Sequence, residues 1–260
     1  MSELAVLIVL HHAANDTTLL EGVLAEQGLV PRIVRFHAGE TDVDPADAAG
    51  LVVLGGSMGA YENARYTFLD DTMRLLDRAI ERDVPTLAIC LGAQLLARVA
   101  GGRAFPGDAG PEWGYVPVTM TEAGRADPVL AGLDGEHFSF HADSFALPAG
   151  VDLLAESPTY PQAFRVGPAL GLQFHPELSL AGIEHLLSLV GPDGSAAAIR
   201  RTRAAAVAQQ DATRRTLATL LVSHFPGPAP TPLSWRSGCQ HRSPRDMGSG
   251  APSSSRRPTG

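Results

Sequence analysis

The chain has 260 residues, enough for one sizeable domain, and its 45% hydrophobic and 18% charged residues are typical of a soluble globular protein. Its formal net charge of −8 disfavours phosphate backbones and anionic membranes as partners, because both attract basic surfaces. All 20 basic residues are Arg, which excludes Schiff-base chemistry on a lysine.

The N-terminal apolar run is short, follows Glu3 and has no basic flank, so we interpret it as a first strand and not as a secretory signal. No segment approaches the roughly 20 apolar residues that a membrane span needs. Cys90 lies in an apolar run and Cys239 in a polar tail, which argues against a disulfide. We therefore expect a cytoplasmic protein without membrane or nucleic-acid partners.

In the first part of the chain, short apolar segments alternate with helical patterns. The predicted strands and helices, in chain order, are strand 4–10, helix 18–27, strand 29–36, strand 51–54, helix 68–82 and strand 86–90. Strands that are apolar throughout and separated by helices predict a doubly wound, flavodoxin-like α/β fold, with a mostly parallel sheet covered by helices on both faces. Ligands of such sheets bind at the carboxyl ends of the strands, so the loops after residues 10, 54 and 90 are of interest.

After Gly102 the apolar runs become shorter and are separated by Pro, Gly and Asp, which predicts a small antiparallel β element. Helical patterns return at 180–189 and at about 195–223. From Pro226 onward the chain is rich in Pro, Ser, Gly and Arg, a composition that predicts disorder. The expected organisation is one domain over 1–225 and a disordered tail over 226–260.

Cys90 stands at the junction between a buried strand and a helix. A residue at such a turn projects its side chain at the carboxyl edge of the sheet, and Ala88 and Gly92 are small enough to permit the turn. The N-terminal amides and positive dipole end of the following helix favour a thiolate. The segment predicts a cysteine nucleophile, although a buried structural cysteine explains this segment alone equally well.

A second motif, Phe-His-Pro-Glu, follows an apolar strand and contains His175 and Glu177. A thiol nucleophile needs a base within hydrogen-bond reach, and that base needs a carboxylate to set its tautomer and stabilise its cation. A lone histidine near a strand end is more often structural, but a His-Pro-Glu unit downstream of a cysteine turn is far more specific. Together the two motifs predict a catalytic site.

The segments LVVLGGSMGAYE, PTLAICLGAQLLA, HADSF and LQFHPE together resemble the class I, triad-type glutamine amidotransferases. The likeness is strongest to the stand-alone proteins that resemble the amidotransferase domain of GMP synthase, and it covers about residues 4–190. It implies that a cysteine attacks the side-chain amide of glutamine, forms a γ-glutamyl thioester and releases ammonia, without a cofactor or metal. The ammonia acceptor is then a separate synthetase subunit, or the protein is a free-standing amidohydrolase.

Transferred residue by residue, the resemblance implies that Cys90 is the nucleophile, His175 the general acid and base, and Glu177 the carboxylate that orients the imidazole. The sequence GGSMG matches the Gly-Gly turn of the family. This match implies that the backbone amides of Gly56 and Leu91 form the oxyanion hole. Taken alone, GGSMG favours an ordinary glycine turn over a functional one.

The resemblance also assigns residues to the substrate. Gln94, one helical turn after the cysteine, matches a family glutamine that contacts the substrate, although on its own it reads as a helix-surface residue. The HADSF segment corresponds to the His-Gly-Asp loop of the family, which implies that His141 and Asp143 line the glutamine pocket. Ala142 stands where the family has Gly, so the backbone angle φ at this position bears on the shape of the pocket.

Other interpretations compete with these. The pair His11-His12 is not predicted to bind a metal, because adjacent residues on an extended chain point apart. Intracellular cysteine peptidases share the Ala-Ile-Cys turn but carry a His directly after the Cys, where this chain has Leu91. Two alternatives stay open: a γ-glutamyl peptidase that cleaves γ-glutamyl conjugates, and a catalytically silent regulatory homologue.

Overall fold

A computed structural model describes residues 5–46, 48–190 and 195–225. The strands are β1 Ala5–Leu10, β2 Val30–Arg35, β3 Gly50–Val53, β4 Thr86–Ile89, β5 Arg103–Pro106, β6 Glu112–Met120, β7 Gly135–His141, β8 Asp143–Ala146, β9 Leu153–Glu156, β10 Pro161–Val166 and β11 Ala169–Leu172. The helices are α1 Thr18–Glu26, α2 Phe68–Glu81, α3 Leu91–Val99, α4 Glu122–Ala126, α5 Leu180–Ser188 and α6 Ala196–His224. The predicted tail, 226–260, and Cys239 within it lie outside the described residues. Within those residues, no helix combines the length and the apolar character needed to cross a bilayer.

Nine strands form one sheet in the order β2-β1-β3-β4-β11-β10-β9-β6-β7. The strands from β2 to β11 are parallel, and those from β11 to β7 are antiparallel. Strands β5 and β8 pair separately as a two-stranded antiparallel sheet. The predicted α/β fold is confirmed. The structure adds that four of the short antiparallel strands continue the main sheet.

Each face of the sheet carries its own apolar core, as β1 illustrates. Its side chains alternate, so that Val6 and Ile8 pack in the cluster that includes α1 and α6. Leu7 and Val9 pack in the cluster that includes α2 and α3. The inner parallel strands β1, β3, β4 and β11 are therefore buried on both faces, which explains why their sequences are largely apolar. The edge strand β2 is mostly exposed or half-buried and carries two Arg residues.

The long helix α6 closes the domain, at nearly the bounds that the sequence predicts. Ser195 caps its start, where Oγ accepts a hydrogen bond from the amide of Ala198 at 3.1 Å. At its end, Phe225 is only 1% exposed. A Cβ added to Gly50 would lie 2.3 Å from the Phe225 ring, so the glycine leaves the space that this ring fills. The described part of the chain thus ends in a residue packed against β3.

Candidate active site

Cys90 occupies a strained turn between β4 and α3. Its backbone angles are φ 53° and ψ −108°, and among the described non-glycine residues only Asp83 shares a positive φ. Such a conformation costs about 1–3 kcal/mol and persists only where the surroundings enforce it. The Cys90 amide donates to the carbonyl of Leu172 at 2.8 Å. A Cβ at Gly92 would lie 2.3 Å from the Val53 carbonyl oxygen, so α3 can approach β3 only with glycine there.

His175 follows the neighbouring strand β11, and its amide donates to the carbonyl of Phe138 at 2.8 Å. Its ring Nδ1 donates to Oε1 of Glu177 at 2.8 Å, which fixes the orientation of the ring. The other ring nitrogen, Nε2, has no hydrogen-bond partner within the described residues although it is buried. The ring therefore keeps one nitrogen available for proton transfer.

The electrostatic surroundings of His175 favour its charged form. Burial lowers the pKa of the imidazole, but the charge of Glu177 and the interactions of Glu177 and Cys90 with the ring raise it more, to well above its ordinary value. Gly55 lies against both side chains: a Cβ there would lie 3.4 Å from the Cβ of Cys90 and 3.4 Å from Cε1 of His175. The cysteine and the imidazole thus flank one small space, where an imidazolium can stabilise a thiolate.

A cavity of about 930 Å³ opens over this space, at the loops that follow β1, β3 and β4, as expected from the sequence. It is lined by most of the predicted site residues: Gly56, Cys90, Gln94, His141, Asp143, His175 and Glu177. Leu91 is absent from the lining, but a Cβ on Gly56 would lie 2.8 Å from Cδ2 of Leu91, so the two residues are adjacent. An oxyanion hole formed by their amides stays a prediction.

Two of the predicted substrate residues converge on one backbone carbonyl. Gln94 Nε2 donates to the carbonyl of Asp143 at 3.2 Å and to Oε1 of Gln173 at 3.2 Å. His141 Nδ1 donates to the same Asp143 carbonyl at 2.9 Å. Both side chains therefore hold the loop that presents Asp143 to the cavity, and direct substrate contact by either stays a prediction. Ala142 in this loop does not have a positive φ, so the missing glycine imposes no backbone strain.

A buried carboxylate, Glu112, supports this loop from behind. Its Oε2 accepts from Gln162 Nε2 at 2.7 Å and from His141 Nε2 at 3.1 Å, and its Oε1 accepts from Ser157 Oγ at 2.8 Å. Burial raises the pKa of Glu112, but the hydrogen bonds and the charge of His141 lower it more, and the net shift is downward. The sequence gives no signal for this network, because Glu112 and His141 are 29 residues apart.

Histidines elsewhere in the described residues do not form a metal site. His11 is fully buried, and its ring nitrogens lie 2.9 Å from the Leu54 carbonyl and 2.9 Å from Thr72 Oγ1. Burial is the main reason that its pKa falls to about 4. No group of three or more His, Cys, Asp or Glu residues in the described ranges is arranged to hold a metal ion.

Comparisons with known proteins agree on one family. A family model described as glutamine amidotransferase class-I matches residues 14–187. The GMP synthase [glutamine-hydrolyzing] of Thermomicrobium roseum is 29% identical over 176 residues, which are 66% of this chain and 31% of that protein. The Helicobacter pylori enzyme of the same name is 28% identical over 176 residues, 66% of this chain and 32% of that protein. The chain thus spans about a third of the length of these curated relatives.

Solved structures show the same fold. A glutamine amidotransferase from Thermotoga maritima superposes with a TM-score of 0.79 at 26% identity and covers 87% of this chain and 100% of its own. A glutamine amidotransferase from Methylobacillus flagellatus gives a TM-score of 0.75 at 21% identity, covering 88% of this chain and 98% of its own. At that lower identity the second likeness supports the fold alone.

Proposed function

The chain belongs to the class-I glutamine amidotransferase family, and from this premise we propose that it hydrolyses the side-chain amide of glutamine or of another γ-glutamyl compound. The thiolate of Cys90 attacks the amide carbon and forms a C–S bond. The C–N bond then breaks, and the amine leaves with a proton from Nε2 of His175. Water, deprotonated by His175, attacks the resulting γ-glutamyl thioester, and the products are glutamate and the regenerated thiol.

The observation that carries this proposal is the placement of Cys90 at φ 53° beside a His175–Glu177 pair whose Nε2 is unengaged. A structural cysteine needs neither the strained backbone nor a charged imidazole next to it. The same observation disfavours a silent regulatory homologue, which has no need to keep all three groups in this geometry.

The remaining predicted residues are assigned supporting roles. In the proposal, the amides of Gly56 and Leu91 stabilise the negative oxygen of the tetrahedral intermediates. The carboxylate of Asp143 binds the α-amino group of the glutamyl moiety, and Gln94 and His141 hold the Asp143 loop in place. None of these steps needs a cofactor or metal.

The fate of the ammonia is the second part of the proposal. The curated relatives are GMP synthases that hydrolyse glutamine, and we propose that the ammonia of this chain also passes to a synthetase, present as a separate subunit. Ammonia release from glutamine, measured with and without candidate synthetase proteins, tests this part. A rate that is the same in both conditions would favour a free-standing amidohydrolase.

The nucleophile can be tested by active-site labelling of the full chain. A diazo-oxo analogue of glutamine should modify Cys90, and ammonia release should stop in proportion to labelling. Cys90→Ser should remove nearly all turnover while keeping the melting temperature, because the change in volume is small. The Cys239→Ser variant is the matched control. Its Cys90 should still be labelled, and it should release ammonia at the normal rate. Labelling of Cys239 instead of Cys90 would contradict the assignment.

A further inference from the structure

The cavity extends from the catalytic pair along one apolar surface, which we call the apolar wall. It consists of Trp113, Phe140, Leu178, Leu186, Leu189 and Val190. At about 930 Å³ the cavity lies near the upper end of the range of about 300–1,000 Å³ that binds drug-sized ligands, and a single amino acid does not fill it. The cavity therefore has room for a group larger than glutamine itself.

Strand pairing explains why this wall is apolar. Trp113 lies opposite Phe140 across the β6–β7 pair, and Tyr115 lies opposite Phe138, so these four aromatic side chains share one face. Leu186 and Val190, at the C-terminal end of α5 and just beyond it, pack against the same cluster. Leu189 is 59% exposed. The cluster is therefore complete toward α5 but open toward the cavity.

The wall lies beside His175, which donates a proton to the leaving amine in the proposed mechanism. The Phe138 ring is 6.5 Å from the His175 ring, and Phe140 lies two residues farther along the same face of β7. Leu178 follows Glu177 directly. Because His175 gives its proton to the leaving nitrogen, a substituent on that nitrogen projects from His175 and meets this surface.

The charge of the cavity further restricts which chemical groups the substituent can carry. Its lining contains the carboxylates of Asp16, Glu62, Asp143 and Glu177. No guanidinium lines the part of the cavity that the structure describes. A leaving group that carries its own carboxylate, as an amino acid does, meets these negative charges and finds no arginine to pair with.

We propose that the preferred substrate is a γ-glutamyl amide of a neutral, apolar amine, whose alkyl or aryl group packs on the apolar wall. The inference rests on the proposed function, since it uses the same Cys90 thioester and the same proton from His175. Only the leaving group differs: the C–N bond that breaks releases a primary amine in place of ammonia, and water again yields glutamate.

The test is a series of γ-glutamyl methyl-, ethyl-, propyl- and butylamides, assayed with the full chain beside glutamine. These leaving amines have nearly the same basicity, so the chemical step is constant across the series. The value of kcat/KM then reports how much of the alkyl group is buried. We expect kcat/KM to rise about two- to fourfold for each added methylene, as expected for partial to full burial. γ-Glutamyl-norvaline, which is the butylamide with an added carboxylate, should be a poorer substrate than the butylamide.

Variants locate the effect on the wall. Trp113→Ala and Leu186→Asn should each lower the ratio of butylamide to methylamide kcat/KM by about three- to tenfold, the equivalent of losing one or two buried methylenes. Because Trp113 also packs in the β6–β7 face, the partly exposed α5 position Leu186 provides a second variant that does not depend on it. Val207→Asn is the matched control: Val207 is 63% exposed on α6, outside the cavity, and the ratio should not change.

The possible results separate this inference from the proposed function. A flat or falling series, or a preference for γ-glutamyl-norvaline, with glutamine still hydrolysed, overturns the inference alone. Failure to hydrolyse glutamine and every alkylamide overturns the proposed function and the inference together. A rising series that Leu186→Asn leaves unchanged overturns the placement of the substituent on the wall.

Discussion

The described residues include two buried histidine–glutamate pairs in which the imidazole is used differently. His175 donates through Nδ1 to Glu177 at 2.8 Å and leaves Nε2 without a partner. His141 has both nitrogens engaged, with the Asp143 carbonyl at 2.9 Å and Glu112 at 3.1 Å. In both pairs a buried imidazole is hydrogen-bonded to a buried glutamate. What differs is whether one nitrogen is left free.

The comparison teaches that a carboxylate next to a histidine does not by itself indicate acid–base catalysis. A ring with an unengaged nitrogen beside a thiol can transfer a proton. A ring whose two nitrogens are both hydrogen-bonded holds its neighbours in place, here by linking Glu112 to the Asp143 loop. Loss of the first pair should therefore reduce the chemical step, and loss of the second should reduce substrate binding.

The largest effect is expected from changes to the His175–Glu177 pair, in which one ring nitrogen has no partner. His175→Ala should lower kcat by several orders of magnitude, because it removes both the charge that stabilises the thiolate and the proton donor. Glu177→Gln should cost less, since it orients and supports the ring without touching the substrate. The double variant should be little worse than His175→Ala alone, because the two residues act as one unit. The measurement is kcat of all three variants, and independent, multiplicative losses would contradict the triad.

Glu177→Gln should also change the pH dependence of the rate. The carboxylate of Glu177 raises the pKa of His175, so its loss stabilises the imidazolium less and the pKa falls. The active thiolate–imidazolium pair is lost when His175 deprotonates. The basic limb of the kcat/KM profile should therefore move to lower pH in the variant. An unchanged basic limb would mean that a different group controls it.

A smaller effect is expected from changes to the His141–Glu112 pair, which supports the Asp143 loop. Glu112→Gln should lower kcat/KM by about tenfold, mostly through a higher KM, because the Asp143 loop loses a charge-assisted support worth about 1.5–3 kcal/mol at most. Glu112→Asp, which keeps the charge, should recover part of the loss. Ser157→Ala, which removes one neutral hydrogen bond from the same carboxylate, is the matched control and should have a weaker effect. A fall in kcat with an unchanged KM would place Glu112 in the chemistry instead.

The smallest effect concerns a buried histidine with no carboxylate partner. The pKa of His11 falls to about 4 in the folded protein from an ordinary 6.5, so the unfolded chain binds the extra proton between these values. Stability is then complete above the ordinary pKa and decreases as pH falls toward the folded value. The free energy of unfolding should drop by about 1 kcal/mol from pH 7.5 to 5.5 because of this residue. Denaturant unfolding of His11→Gln at both pH values should show a smaller drop, and an equal drop would contradict the assignment.

Much of the fold and the centre of the site follow from local sequence. Alternating apolar strands and helices predict the α/β class, and the structure confirms it. The turn at Cys90 and the unit from His175 to Glu177 each span only a few residues, within which chain stereochemistry limits where the side chains can point. Such short-range features can be predicted from the sequence because neighbouring residues determine their geometry.

The tertiary structure alone decides the rest. Glu112, His141, Ser157 and Gln162 meet because β6, β7 and β10 belong to one sheet and the turn after β9 brings Ser157 to it. The apolar wall likewise combines β6, β7 and the end of α5. Sequence spacing cannot reveal such convergence, because it depends on strand order and register, which are set by packing across the whole domain. The local geometry at Cys90 and in the His175–Glu177 unit was thus determined by nearby residues. The meeting of the two segments across β4 and β11, the support of the site and the shape of its pocket depend on contacts between distant segments.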